Sequence, residues 1–365
     1  MKKNILKIFE MKIKGLFDTF LFAKPSNVSV IEQNQRIFSS LNISKILILR
    51  HDRIGDVLIS IPLFKIIRNF MPDAEIDIIL GKRNQEIQSS IKSYFNNIFV
   101  FDQTLFKAII LIIQLRRRKY DLIIDPFDKP SSTSSLIIKL SGIGNSLGFR
   151  THSSVCTHQV VALDKNKYHI IERTAQLALA FGICPNSSNI IPEFIIDDEE
   201  KIRAQSRIGK FSKDTRVAIV LFGSSDSKFW GINNHIEFIN KIKTQKSEIE
   251  FILFATKDHN DILHNIADQT GALAAPIANN IIEYAFLLYQ CDMIFTPDTS
   301  AVHFATAWKK PVIALFPYDL GNNGMPWYPY KTPNRTLVAE NGNIETINVN
   351  SVIEAFDSLF REIGC

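Results

Sequence analysis

Short, nearly continuous apolar runs recur along this chain between stretches of helical length, and that grammar narrows the folds open to it. A first series comprises KILILR (45–50), EIDIIL (75–80), NIFVF (97–101) and DLIID (121–125). A second comprises RVAIVLF (216–222), EFILFA (250–255), DMIFTP (292–297) and PVIALF (311–316). Runs of this kind form strands buried on both faces, and helical crossovers between them make the sheet parallel. The prediction is an α/β chain of two doubly wound, Rossmann-like halves. Its 365 residues exceed one ordinary core and suit two domains of about 150 residues each, facing a cleft. The boundary falls in the Pro/Asn/Ser-marked segment near 184–200, and no solenoid-type repeat is evident.

Apolar residues make up 46% of the chain and charged ones 22%, which fits a globular protein and excludes a disordered or fibrous one. Cys156, Cys184, Cys291 and Cys365 lie far apart with no CxxC pair. Neither a zinc site nor a disulfide framework is suggested, and a reducing, cytoplasmic compartment fits. No stretch reaches the ~18 apolar residues of a membrane span. The longest, LFKAIILIIQL at 105–115, contains Lys107, stops at Arg116 and reads as a buried helix ending in a basic turn.

The net charge of +5 is uneven: residues 1–26 hold six lysines against Glu10 and Asp18. The rest has little surplus, so there is no general case for nucleic-acid binding. In that arm Ile5, Phe9, Ile13, Leu16 and Phe20 share one helical face, with Lys3, Lys7, Glu10, Lys14 and Asp18 opposite. It lacks the uninterrupted apolar core of a cleavable signal. Two readings stay open: a helix lying on an anionic inner membrane, or one packed on its own protein. The chain thus divides into a basic amphipathic helical extension (1–44), an N-terminal Rossmann-like domain (45–195) and a C-terminal one (196–365). Its last segment, VNSVIEAFDSLFREIG, is a helix capped by Asn350 or Ser351 that could pack back on the N-terminal domain.

In an open parallel sheet, ligands gather beyond the carboxyl ends of the strands. HDRIGD (51–56) follows the first run: Gly55 permits a tight turn, and Asp56 stands at a helix start, either as a cap or as a carboxylate aimed at a ligand. Asp52 and Arg53 beside it read as a local ion pair. In the second series, Asp298, Thr299 and Ser300 open a helix through Trp308, with His303 in its first turns. Free N–H groups and two hydroxyls there suit a phosphate or diphosphate, while ordinary capping explains the same residues. LFGSSDSKFW (221–230) ends another strand with a hydroxyl-rich loop, whose Lys228 either neutralises a diphosphate or lies in solvent. SGIGNSLGF carries Gly142, Gly144 and Gly148 but follows a helix rather than a strand, so NAD(P) binding is discounted. There is no GxxxxGK[ST], HExxH, GxSxG or DxD motif.

These loops, in this order, resemble glycosyltransferase family 9, the ADP-heptose:lipopolysaccharide heptosyltransferases. The likeness runs from about Lys45 to Pro329. It rests on ILILRHDRIGDVLISIPLFKIIRNFMPDAEIDIIL, YDLIIDPFD, GFR (148–150), HIIERTAQLALAFGI (169–183) and, most specifically, TPDTSAVHFATAWKKPVIALFPY. It implies a GT-B fold, with the donor held mainly by the C-terminal domain and the acceptor by the N-terminal one, and inverting transfer without an obligatory metal or other cofactor. It further implies that Asp56 is the general base, that Lys228 stabilises the departing diphosphate, and that Asp52, Arg53 and Gly55 shape the acceptor loop. Ser224 matches a small phosphate-binding position, and Thr299, Ser300 and Ala301 a phosphate-cradling helix start. Asp298 matches a contact to donor sugar hydroxyls, His303 a motif position, and Asp258 a place near the nucleotide ribose. The family commonly has Gly after its DT or DS pair, where this chain has Ser300.

The function implied is transfer of heptose, or a related sugar, from an ADP-sugar to a lipopolysaccharide core or another cell-envelope glycan. The same scaffold would also serve a protein (adhesin) acceptor, or a non-catalytic sugar-nucleotide-binding protein indifferent to loss of Asp56 and Lys228. The expected partners are a nucleotide sugar, a lipid-linked oligosaccharide and, through residues 1–26, the inner face of the inner membrane.

Overall fold

A computed structural model describes residues 21–32, 37–38, 42–102, 104–129, 131–185, 190–205, 215–318 and 327–364. The chain divides into two compact units, Met1–Leu163 with Ile171–Ile190, and Asp164–Ile170 with Ile191–Cys365.

The first unit carries strands β1 (Ser29–Ile31), β2 (Lys45–Arg50), β3 (Glu75–Gly81), β4 (Asn97–Phe101), β5 (Leu122–Asp125), β6 (Asn145–Phe149) and β7 (His158–Val160). All pair in parallel, in the spatial order β1-β7-β6-β5-β2-β3-β4. Helices α1 (Ile54–Phe70), α2 (Gln88–Ile91), α3 (Leu105–Arg118) and α4 (Ser132–Ser141) connect them, and α5 (Ile170–Ala175) follows β7. Leu47, Leu49, Ile79 and Ile123 of the strands meet Leu111 and Leu115 of α3 and Ile137 of α4 in one apolar cluster.

Three observations depart from the sequence reading of this unit. Residues 29–31, assigned to the extension, join the first sheet beside β7; the amphipathic face from Ile5 to Phe20 lies outside the described residues. The glycine-rich SGIGNSLGF splits in two: Gly142, at φ 74°, ends α4 in the left-handed conformation, and NSLGF is strand β6. Gly148 serves close approach there, since a Cβ would stand 2.7 Å from Cys156 Sγ and 3.3 Å from the Asp125 carbonyl. Helix α3, read as buried, is buried on one side only. Leu111 and Leu115 face the core, whereas Phe106, Ile109, Ile110 and Ile113 are exposed, because sheet and α4 cover one side of the helix and solvent meets the other.

The second unit repeats the plan with β8 (Thr215–Val220), β9 (Ile249–Phe254), β10 (Leu273–Ala274), β11 (Met293–Pro297), β12 (Val312–Phe316) and β13 (Asn334–Val338), parallel and ordered β10-β9-β8-β11-β12-β13. Its helices are α6 (Asp198–Gln205), α7 (Ile232–Gln245), α8 (Asn260–Thr270), α9 (Ile281–Tyr289), α10 (Ser300–Trp308) and α11 (Val349–Glu362). Helix α11 is capped by Asn348, which accepts from the Asn350 N–H at 2.8 Å, two residues before the first predicted cap. It lays Val352, Phe356 and Leu359 into the second unit's core with Trp230, Phe238 and Phe251. Residues 164–170 belong here too: His169 Nε2–H donates to the Tyr328 carbonyl at 2.6 Å, and its ring stacks on Tyr330 at 4.7 Å.

Candidate functional site

Strand β2 ends in a charge. Arg50 is only 3% exposed, so its guanidinium needs partners. Its Nε donates to the Asp56 backbone carbonyl at 2.9 Å, Nη2 lies 3.6 Å from Asp56 Oδ1, and Nη1 lies 3.2 Å from Asp52 Oδ2. Asp56 stands in the first turn of α1, where the helix dipole favours a carboxylate. Its Oδ2 has no partner among the described residues. The cation that organises both carboxylates is therefore Arg50 and not Arg53, which is the exposed N-cap residue of α1 and makes no capping bond with its side chain. Gly55 is already helical and needs no left-handed φ, so the tight turn expected of it is absent.

The neighbouring groups extend this arrangement. Burial pushes the Asp52 carboxyl well above the usual carboxylate range, with Asp56 and Asp125 adding to the shift and Arg50 opposing it. At the end of the adjacent strand β5, desolvation raises Asp125 to about 7, although it accepts from Phe127 N–H and Ser134 Oγ, each at 3.3 Å. Burial, reinforced by Arg50, lowers His51 to about 4, so its ring is neutral between Phe127 and Phe101, 4.9 and 5.9 Å away. His51 Nδ1 and Asp52 Oδ1 are buried without a hydrogen-bond partner among the described residues.

In the second unit, the loop after β8 folds back on itself. Phe222 and Phe229 form an antiparallel bridge and stack at 4.4 Å, and His259 stacks on Phe222 at 3.8 Å. The Gly223 N–H donates to the Lys228 carbonyl at 3.1 Å, and a Cβ at Gly223 would collide with the Lys228 side chain. Lys228 Nζ is thereby held at the end of β11, donating to Asp298 Oδ2 at 2.6 Å and to the Asp298 carbonyl at 3.1 Å. Two residues singled out separately in the sequence thus form one ion pair.

Helix α10 begins directly after this pair. Thr299 is its N-cap: Oγ1 accepts from the Ala301 N–H at 3.1 Å and lies 2.9 Å from Thr296 Oγ1. The Ala301 amide is therefore already engaged and its side chain buried, while Asp298, Thr299 and Ser300 are half-exposed. His303 is buried one turn on, its ring 6.0 Å from Trp327. It also helps burial hold His169 neutral, lowered to about 3. Ser224 and Asp258 are exposed on the loops after β8 and β9, and neither bonds to the Lys228–Asp298 pair. Among the described residues, no group of three or more His, Cys, Asp or Glu is placed to hold a metal ion.

Sequence reasoning missed Arg50, Asp125 and the Phe229–Phe222–His259 stack. A lone charge ending an otherwise apolar run was the available signal for Arg50, whereas Asp125 has the pattern of any polar strand end. The stack joins side chains from two loops and has no local signature.

A family model described as glycosyltransferase family 9 (heptosyltransferase) matches residues 109–346. The lipopolysaccharide core heptosyltransferase OpsX of Haemophilus influenzae is 24% identical over 291 residues, covering 78% of this chain and 81% of its own. Among solved structures, a glycosyl transferase family 9 protein from Veillonella parvula superposes with a TM-score of 0.73 at 16% identity, covering 91% of this chain and all of that one. The E. coli ADP-heptose lps heptosyltransferase II gives 0.69 at 19% identity, covering 88% of this chain and all of that one. The likeness establishes the fold, which is of GT-B type.

Proposed function

The chain belongs to glycosyltransferase family 9, the heptosyltransferases, and on that footing we propose that it transfers heptose from ADP-heptose to a lipopolysaccharide core acceptor with inversion at the anomeric carbon. The observation that carries this reading is the two-point grip of Arg50 on Asp56, which fixes the backbone carbonyl and one carboxylate oxygen and leaves Oδ2 unengaged. Asp56 is the general base. The acceptor hydroxyl oxygen forms its bond to the anomeric carbon as the bond from that carbon to the diphosphate breaks. The hydroxyl proton passes to Asp56 Oδ2, and ADP leaves with the electron pair.

Negative charge grows on the departing diphosphate, so groups that meet it there act in the transition state. Lys228, positioned by Asp298, supplies a cation, and the half-exposed start of α10 at Thr299 and Ser300 supplies the positive end of a helix. Ser300, at the half-exposed start of this helix, adds a hydroxyl. The names of the solved and curated relatives, an ADP-heptose enzyme and a lipopolysaccharide core enzyme, support the choice of donor and acceptor.

The test is nucleotide release by purified protein with ADP-heptose, UDP-hexose or GDP-hexose, each with and without heptose-free core oligosaccharide. The expected result is acceptor-dependent ADP release from ADP-heptose alone, with a product of opposite anomeric configuration. Retained configuration, or turnover only with a UDP- or GDP-sugar, would overturn the proposal.

A further inference from the structure

Helix α3 carries an apolar ridge on its solvent side. Phe106, Ile109, Ile110 and Ile113 follow one another at helical i, i+3, i+4, i+7 spacing and are 71, 50, 39 and 45% exposed. Arg117, four residues further on, falls on the same face and is also exposed. Helix rise makes this stripe about 16 Å long from Phe106 to Arg117. A soluble helix ordinarily turns such a stripe inward; here a different face, with Leu111 and Leu115, already fills that role. Contiguous exposed apolar side chains of this kind mark an interaction surface.

The charge around the ridge selects the partner. From residue 103 to residue 120 the chain has Lys107, Arg116, Arg117, Arg118 and Lys119 and no Asp or Glu. Arg118 is taken up by Glu75 and Asp77, and Lys107 by Asp102 at the end of β4. Arg116 donates to the Leu140 carbonyl, while Arg117 and Lys119 have no acidic partner among the described residues. A symmetric contact with a second copy would bring this cationic helix against itself. An anionic lipid leaflet instead offers hydrocarbon for the isoleucines and phenylalanine and phosphate for the arginines.

We propose that the exposed face of α3 is a membrane-docking surface, inserting Phe106, Ile109, Ile110 and Ile113 among the acyl chains of an anionic leaflet while Arg117, on the same face, meets its headgroups. The first turn of α3 follows β4, so the ridge begins at the carboxyl edge of the sheet that also carries Arg50 and Asp56. Docking would bring that edge to the lipid surface. Such docking does not depend on which donor or acceptor the chain uses.

The experiment is co-sedimentation of the full-length chain with vesicles of phosphatidylcholine alone and with 30% phosphatidylglycerol (about a third anionic, as a probe of charge dependence), with no sugar present. Ile109→Ser/Ile113→Ser removes apolar area without changing charge, and Phe106→Ser does so at the most exposed position. The expected result is an apparent partition coefficient onto anionic vesicles at least about tenfold lower for the double variant and lowered for Phe106→Ser. Circular dichroism melts should be unchanged. Equal vesicle binding by both variants and the parent would overturn the proposal. So would a parent that is dimeric at micromolar concentration and turns monomeric in the variants without any vesicle binding. Because the assay involves no catalysis, a chain that fails to transfer heptose can still pass it, and an active one can fail it.

Discussion

A guanidinium that serves two carboxylates and a backbone carbonyl is not interchangeable with another cation, because only its planar fork reaches all three. Arg50→Gln strands Asp52 and Asp56 in a largely enclosed site, and the expected loss of unfolding free energy is on the order of 3 kcal/mol, read by urea denaturation. Arg50→Lys should recover only part of it. If Arg50 positions the base, kcat falls in both variants while KM for the donor stays put; a rise in donor KM alone would contradict that role. Asp125 supplies a pH test. Its folded value, about 7, stands above the ordinary carboxylate value, so between about pH 4 and pH 7 the folded state holds a proton that the unfolded state has released. Stability contributed by the neutral form is lost as pH rises through that window. Asp125→Asn keeps an acceptor for Phe127 N–H and Ser134 Oγ without the proton. Its Tm should therefore gain several degrees on the parent between pH 4.5 and pH 8, with the gap closing at the acid end; a constant gap would contradict the assignment.

Two elements of the second unit meet at the Lys228–Asp298 pair: the folded-back loop after β8 and the start of α10. Gly223→Ala puts a methyl group into Lys228 and must displace it, so kcat should fall about tenfold or more with little change in melting. Unchanged kcat would mean that the lysine acts from another position. At α10, Thr299→Val removes the cap on Ala301 N–H and should cost about 1 kcal/mol while raising KM for the donor. Thr299→Ser should restore both, as measured by denaturation and steady-state kinetics. The elements themselves differed in how well they could be read. β2 to β5, β8, β9, β11 and β12 announce themselves as continuous apolar runs. β1, β7 and β10, with two or three residues each, are too short for any pattern, and β13 (NRTLV) is polar and half-exposed along its whole length. α3 was legible as a helix, but a run that is apolar all round does not reveal which side the sheet will cover.

At the scale of the molecule, two parallel sheets and the family were legible because motif order and strand grammar both run the length of the chain. The connections were not. Lys228 and Asp298 are 70 residues apart, and they meet because β8 and β11 are neighbours, a strand order that no local pattern encodes. The place of Asp56 at a helix start was legible, while its partner Arg50 was absorbed into the strand it ends. Residues 164–170 crossing into the second unit likewise depend on a tertiary anchor, His169 to Tyr328. Among the described residues no helix is long and apolar enough to cross a membrane. The proposed removal of the acceptor proton by Asp56 is tested most directly by single-turnover transfer from ADP-heptose by Asp56→Asn. The predicted rate is about 10²- to 10⁴-fold below the parent, with ADP affinity and Tm close to it. Transfer at the parent rate would contradict the assignment.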